Sequence, residues 1–146
     1  MAVLDSEIQE QIDKLRGLAY EKLQENKIEE SFEIREQSWN LYPDPKENWN
    51  EAYNTAKYAF IASKKLNDFD RAKSWLNRMI AVNNNLHLSD TELCFYIAIY
   101  KFDTGDYEDA LSRFKEVVKI AKFRYFQSQD KIYLDFYKNP DKYMKS

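Results

Sequence analysis

From Leu93 to Lys122 the chain reads Leu-Cys-Phe-Tyr-Ile-Ala-Ile-Tyr-Lys-Phe-Asp-Thr-Gly-Asp-Tyr-Glu-Asp-Ala-Leu-Ser-Arg-Phe-Lys-Glu-Val-Val-Lys-Ile-Ala-Lys. Two helical patterns meet at Thr104-Gly105-Asp106. In the second, Tyr107, Ala110, Phe114 and Val117 recur at spacings of three and four, which aligns large, small and large side chains on one helix face. In the first, from Leu93 to Phe102, Lys101 is the sole charge, so that helix is expected to be covered on more than one side. The rest of the chain reads as variations on this pair.

Working outward, Ser6 with Gln9 has the spacing of a capping box, and Ile8, Ile12, Leu15, Leu18 and Ala19 follow with helical period. Gly17 beside Ala19 is expected to admit a neighbouring backbone. Asn26 ends that helix and, with Glu29, is expected to cap the next, which carries Ile28, Ser31, Phe32, Trp39 and Tyr42 to Pro43. Asp44-Pro45-Lys46-Glu47 reads as the start of a third helix, with Trp49, Ala52, Tyr53, Ala56, Ala59, Phe60 and Leu66 on its apolar face. The fourth, from Phe69 through Ala72, Trp75, Leu76, Met79 and Ile80, is expected to dissolve at Asn83-Asn84-Asn85. Ser89-Asp90-Thr91-Glu92 is a second capping-box spacing, opening the fifth helix. The sixth runs from Tyr107 to about Phe123. A short seventh holds Ile132, Tyr133, Phe136 and Tyr137 and stops at Asn139-Pro140.

The pattern Gly105-x-Tyr107-x-x-Ala110-x-x-x-Phe114 after an apolar helix resembles the second half of a tetratricopeptide repeat, a helix-turn-helix unit of about 34 residues. Units resembling it start near residues 12, 53 and 91, at intervals of roughly 40 residues, with linkers absorbing the excess. The resemblance implies an all-α fold of antiparallel helix pairs stacked as a right-handed superhelix. The expected organisation is a single domain over 1–146 with repeats at 12–45, 53–86 and 91–124, then a capping helix and tail over 125–146 that cover the last stacking face. The alternative is a non-repeat helical bundle with a small-molecule or enzymatic role. The family's Trp near the start of a unit is replaced by Leu15, Ala56 and Cys94, and its later Tyr by Lys22, Ser63 and Lys101.

Composition agrees with helices: 146 residues include 2 Gly, 3 Pro and 32% charged residues. A net charge of -3 argues against nucleic acid as a partner, since phosphate binding wants clustered positive charge. No stretch approaches the ~20 apolar residues of a membrane span, and the N-terminus lacks a signal-peptide pattern. One cysteine, Cys94, fits a reducing compartment, so a cytoplasmic location with no membrane association is expected.

Neither catalytic residues nor metal ligands nor a cofactor are expected. Cys94 stands where two helices pack and reads as a small buried hydrophobe, His87 reads as a loop histidine without companion ligands, and Glu29, Glu30, Glu33 and Glu36 read as a solvated face. No phosphate loop or nucleophile elbow occurs. The expectation is therefore a non-enzymatic protein-binding module. In the family that the chain resembles, first helices of successive units line a concave groove, which implies a surface of Arg16, Tyr20 and Leu23, then Tyr53, Lys57 and Phe60, then Phe95, Ile99 and Phe102. That mix suits a protein or peptide partner with apolar and acidic side chains. A second assignment stays open for Phe95, Ile99 and Phe102, namely burial by the last helix. Of the basic clamp with which some members grip chaperone termini, only Arg16 matches, with Tyr20, Tyr58, Glu92 and Tyr96 at the other positions, which argues against that role. Adaptor, chaperone for a secreted protein, regulator and immunity-type inhibitor are all compatible with a stand-alone chain of this kind.

Overall fold

The computed structural model describes residues 3–144, and among these the regular structure is helical, with seven α-helices and no strand. They are α1 (Ser6–Gln24), α2 (Ile28–Asn40), α3 (Asn50–Lys65), α4 (Phe69–Leu86), α5 (Asp90–Asp103), α6 (Tyr107–Ala121) and α7 (Lys131–Lys138), with single 3-10 turns at Lys46–Asn48, Arg124–Phe126 and Pro140–Lys142. The chain divides into two compact units, Met1–Leu88 and Ser89–Ser146. No helix of the described residues is long and apolar enough to cross a membrane.

One turn recurs three times. Asn26, Asn67 and Gly105 each adopt a positive φ, at 63°, 56° and 90°. After each, the next backbone N–H reaches back to close the helix end: Lys27 to the Lys22 carbonyl at 2.8 Å, Asp68 to Ser63 at 3.0 Å, and Asp106 to Lys101 at 2.8 Å. This left-handed stop satisfies carbonyls that the helix terminus would otherwise leave open, and Asn and Gly are the residues that adopt it at least cost. The three helix pairs α1/α2, α3/α4 and α5/α6 therefore share one hinge, repeating at roughly 40 residues. At one position past each hinge stand Ser31, Ala72 and Ala110, all fully buried, because only small side chains let the two helices approach. Ser31 satisfies its hydroxyl by donating to the Ala19 carbonyl across the pair, at 2.7 Å.

In the first unit α1 packs on α2, α3 on α4, and α2 on α3. Ile12 and Ala19 of α1 and Phe32 and Ile34 of α2 are buried, as are Tyr53, Ala56 and Phe60 of α3 and Trp75 and Met79 of α4. Cations also tie α2 to α4. Arg71 lies over Phe32 at 4.5 Å and pairs with Glu29 at 2.6 Å, and Arg78 lies over Trp39 of α2 at 5.1 Å and Trp75 of its own helix at 4.2 Å and pairs with Glu36 at 3.0 Å. The carboxylates are partly to largely exposed, so the stacking on aromatic faces contributes more than the ion pairs. Two of the glutamates expected on a purely solvated face thus hold α4.

Several local expectations are corrected. The cap of α1 is Asp5 rather than Ser6, because its carboxylate accepts from the Glu7 N–H at 2.8 Å, a stronger bond than a hydroxyl makes. Lys27, not Asn26, holds the N-cap position of α2, without a side-chain cap bond. Asp44-Pro45-Lys46-Glu47 does not open α3. Lys46 donates to the Tyr42 carbonyl and the Trp49 indole to the Pro43 carbonyl, folding the segment into its own 3-10 turn, and α3 starts at Asn50. Nor does α4 dissolve at Asn83: Val82 and Asn83 continue the buried stripe of Trp75 and Met79, and the Asn85 amide ties the helix end to Glu47 and Asn48. It stops one turn later at His87, an exposed residue with a left-handed φ of 54°.

The second unit is organised by aromatic rings. Phe95, Ile99 and Phe102 of α5 and Ala110, Phe114 and Val117 of α6 join Phe126, Tyr133 and Phe136 in one buried cluster. Phe136 of α7 lies 4.8 Å from Phe102 and 6.2 Å from Phe114, and the Tyr133 hydroxyl donates to the Asp103 carboxylate at 3.0 Å. Burial, followed by the nearby Asp103 charge, pushes the Tyr133 hydroxyl well above its ordinary range, keeping it a donor. The seventh helix packs Tyr133 and Phe136 against Phe102 of α5 and Phe114 of α6, on the face that the resemblance had assigned to a groove.

Candidate partner-binding groove

Two parallel stripes of side chains in the first unit enclose a groove. On α1 they are Asp13, Arg16, Gly17, Tyr20, Leu23 and Gln24; on α3 they are Tyr58, Ile61, Ala62 and Lys65. Both stripes step by three and four, so each helix offers one continuous face. Arg35 of α2 reaches between them, and the open space is about 530 Å³. Tyr20 and Tyr58 are 59% and 42% exposed, which leaves aromatic surface uncovered on both sides. Gly17 shares the lining with Tyr58 and Ile61, and a Cβ built on it meets nothing within 4 Å. The glycine opens the groove floor instead of admitting a neighbouring backbone.

Three cations, Arg16, Arg35 and Lys65, line this groove against one carboxylate, Asp13. On a chain of net charge -3 that is a local reversal of sign. The Arg16 guanidinium lies over the Tyr58 ring at 4.9 Å, and the Lys57 ammonium lies 5.5 Å from the same ring outside the groove lining. Arg35 is only 7% exposed, with its guanidinium 5.6 Å from the Phe32 ring. Its Nε is buried without a hydrogen-bond partner among the described residues. Burial first, and the neighbouring Arg16 charge second, lower the Arg35 pKa, and no carboxylate offsets them. Behind the groove, Arg16 and Arg35 meet Leu15, Ser38, Thr55 and Tyr58 around a recess of about 10 Å³, room for a single water-sized atom.

The chain matches no family model, no curated protein and no solved structure.

Of the residues expected to meet a partner, Arg16, Tyr20 and Leu23 come together in the groove, and Lys57 stands beside it. Tyr53 and Phe60 do not reach it. They are 2% and 0% exposed, because the stripe of α3 that contains them is the one packed into the helix pair, and the groove stripe is rotated from it by about one residue, roughly 100°. Phe95 and Ile99, with Phe102, lie in the aromatic cluster of the second unit and have no surface to offer. All three are buried: α7 covers Phe102 through Tyr133 and Phe136, whereas Phe95 is covered by Phe114 of α6 and by Tyr125 and Phe126 ahead of α7.

Arg35 is the residue that sequence reasoning passed over, and a signal existed. It stands the same distance past Asn26 as Leu76 stands past Asn67 and Phe114 past Gly105, and both of those are core residues. A charged residue at an apolar register position marks a departure that packing does not explain. Cys94 is half-buried, its thiol donates to the Arg113 carbonyl at 3.6 Å, and burial pushes its pKa up, away from the thiolate a nucleophile needs. Among the described residues, no group of three or more His, Cys, Asp or Glu side chains is placed to hold a metal ion.

Proposed function

We propose that the chain is a non-catalytic binding module that takes a segment of a protein partner into the groove between α1 and α3. The observation that supports it is the pairing of exposed Tyr20 and Tyr58 with Ile61 and Arg16 in one open channel. Tyrosine and arginine are the residues that most often anchor interfaces, since they combine large contact area with a polar handle. The repeated hinges at Asn26, Asn67 and Gly105 support reading the helix pairs as repeats of the tetratricopeptide kind, stacked in a right-handed superhelix. A cytoplasmic setting suits the lone thiol of Cys94. Adaptor, chaperone, regulator and immunity-type inhibitor all use such a module. A second reading, a small-molecule receptor, is favoured by the groove volume, which falls among ordinary ligand pockets.

Gly17 supplies the test. Because its surroundings are empty, Gly17→Leu fills the channel without a clash, and leucine is the better helix former by about 0.5–1 kcal/mol. The variant is expected to melt at or above the parent temperature. Peptides selected from a random library on the full chain are expected to bind Gly17→Leu and Tyr58→Ala at least about tenfold more weakly than the parent. Equal binding to Gly17→Leu would place the activity elsewhere on the surface. Stabilisation of the parent by metabolites, with no peptide selected, would favour the small-molecule reading.

A further inference from the structure

Arg35 is an expensive residue where it stands. Its equivalents Leu76 and Phe114 fill their helix pairs with hydrocarbon, whereas Arg35 brings a cation to a site 93% withdrawn from solvent, beside a second guanidinium. The buried Nε donor finds no acceptor among the described residues. Buried cations are ordinarily paired, so an acceptor of opposite charge from outside the chain is the missing half of this arrangement. The recess between Arg16 and Arg35 sets its size: about 10 Å³, with Ser38 also on its wall, is room for one oxygen atom. It opens beside a channel whose other walls are the rings of Tyr20 and Tyr58 and the side chain of Ile61. The groove lining on α1 extends to both sides of Arg16, from Asp13 to Gln24, which leaves surface for residues on either side of an acid seated at the recess.

We propose that the Arg16–Arg35 recess receives the side-chain carboxylate of an internal glutamate or aspartate of the partner segment, flanked by apolar residues that lie against Tyr20, Tyr58 and Ile61. One carboxylate oxygen enters the recess and accepts from the two guanidinium groups. The other stays in the channel mouth, where Lys65 adds positive charge. This inference rests on the groove reading and adds the chemistry that the groove selects. The desolvated arginine is held in place before binding, so its cost is already met when the acid arrives.

The probes are two capped peptides, acetyl-Leu-Glu-Leu-amide and acetyl-Leu-Gln-Leu-amide, titrated into the full chain while the arginine Nε–Hε resonances are followed by NMR. A third, acetyl-Leu-Gln-Leu with a free terminus, and inorganic phosphate complete the set. The glutamate peptide is expected to shift the Arg35 resonance saturably and to bind at least about tenfold more tightly than the glutamine peptide, the difference a charge-assisted bond makes. Arg35→Met is expected to melt no lower than the parent without peptide and to bind both capped peptides alike. Equal binding of both by the parent, with both lost in Gly17→Leu, would overturn the carboxylate while leaving the groove standing. Binding of neither, or binding that survives Gly17→Leu, would remove the groove as well. Preference for the free-terminus peptide, or an equal response to phosphate, would overturn the internal side chain as the ligand. The comparison of glutamate with glutamine on the parent chain decides the matter even if Arg35→Met does not fold.

Discussion

Replacing Ala110 with glutamate unfolds the second unit. Ala110 is fully buried at the close approach of α5 and α6, one turn from Phe114 and in the same cluster as Phe95 and Phe102. A glutamate there would place a carboxylate among aromatic rings and force the helices apart, a cost on the order of several kcal/mol. A unit of this size shifts its melting temperature by about 4–8 °C per kcal/mol, so the transition is expected to fall by tens of degrees or to vanish from a circular dichroism melt. Ala110→Ser is the matched control. Ser31 occupies the equivalent position after the Asn26 hinge and donates to the Ala19 carbonyl, and the residue equivalent to Ala19 in α5 is Ala98, also fully buried. Serine at 110 is therefore expected to cost under about 1 kcal/mol. A glutamate variant melting within a few degrees of the parent would show that the hinges are not equivalent.

Ending the chain before Ser128 has an effect of similar size by a different route. It removes Tyr133 and Phe136, which are 2% and 0% exposed, and uncovers Phe102 and Phe114, whose rings lie about them at 4.8–6.2 Å, and it takes Tyr137 from Phe126, 6.0 Å away. Losing even one buried aromatic side chain costs about 3–5 kcal/mol, and the exposed face left behind favours association. The shortened chain is expected to elute as oligomers in size-exclusion chromatography, with a broadened melt of the second unit. Elution as a monomer of parental stability would mean that α5 and α6 are closed without α7. The ring contacts within α5 and α6 themselves, such as Phe95 with Phe114 at 5.6 Å, set the residual structure that survives.

The helices and their hinges were legible because each rests on local chemistry. Asn26 and Gly105 stop helices through their own backbone freedom, and the ladder Tyr107, Ala110, Phe114 follows from a period that needs no partner to be read. Capping was legible only in kind. Ser6 has the spacing of a cap, but it is the adjacent Asp5 whose oxygen reaches the Glu7 N–H. Asn83-Asn84-Asn85 looked like an end because asparagine is a poor helix former, yet burial of Val82 and Asn83 outweighed that propensity.

By itself, the sequence determined an all-helical chain of hinged pairs closed by a short aromatic helix, and it placed Arg16 and Tyr20 on one helix face. Only the tertiary structure decided which face of each helix is core. A rotation of one residue on α3 separates Tyr58 and Ile61, which line the groove, from Tyr53 and Phe60, which are buried, and hydrophobicity cannot tell the two stripes apart because both are apolar. The same holds for Phe95 and Ile99, whose fate depended on contacts between residues distant in sequence, such as Phe95 with Phe114 and Phe126. Arg35 is the clearest case. Its charge is written in the chain, but its burial, its unpartnered Nε and its closeness to Arg16 arise only when three helices converge, because local pattern carries no information about which neighbours will withdraw a side chain from water.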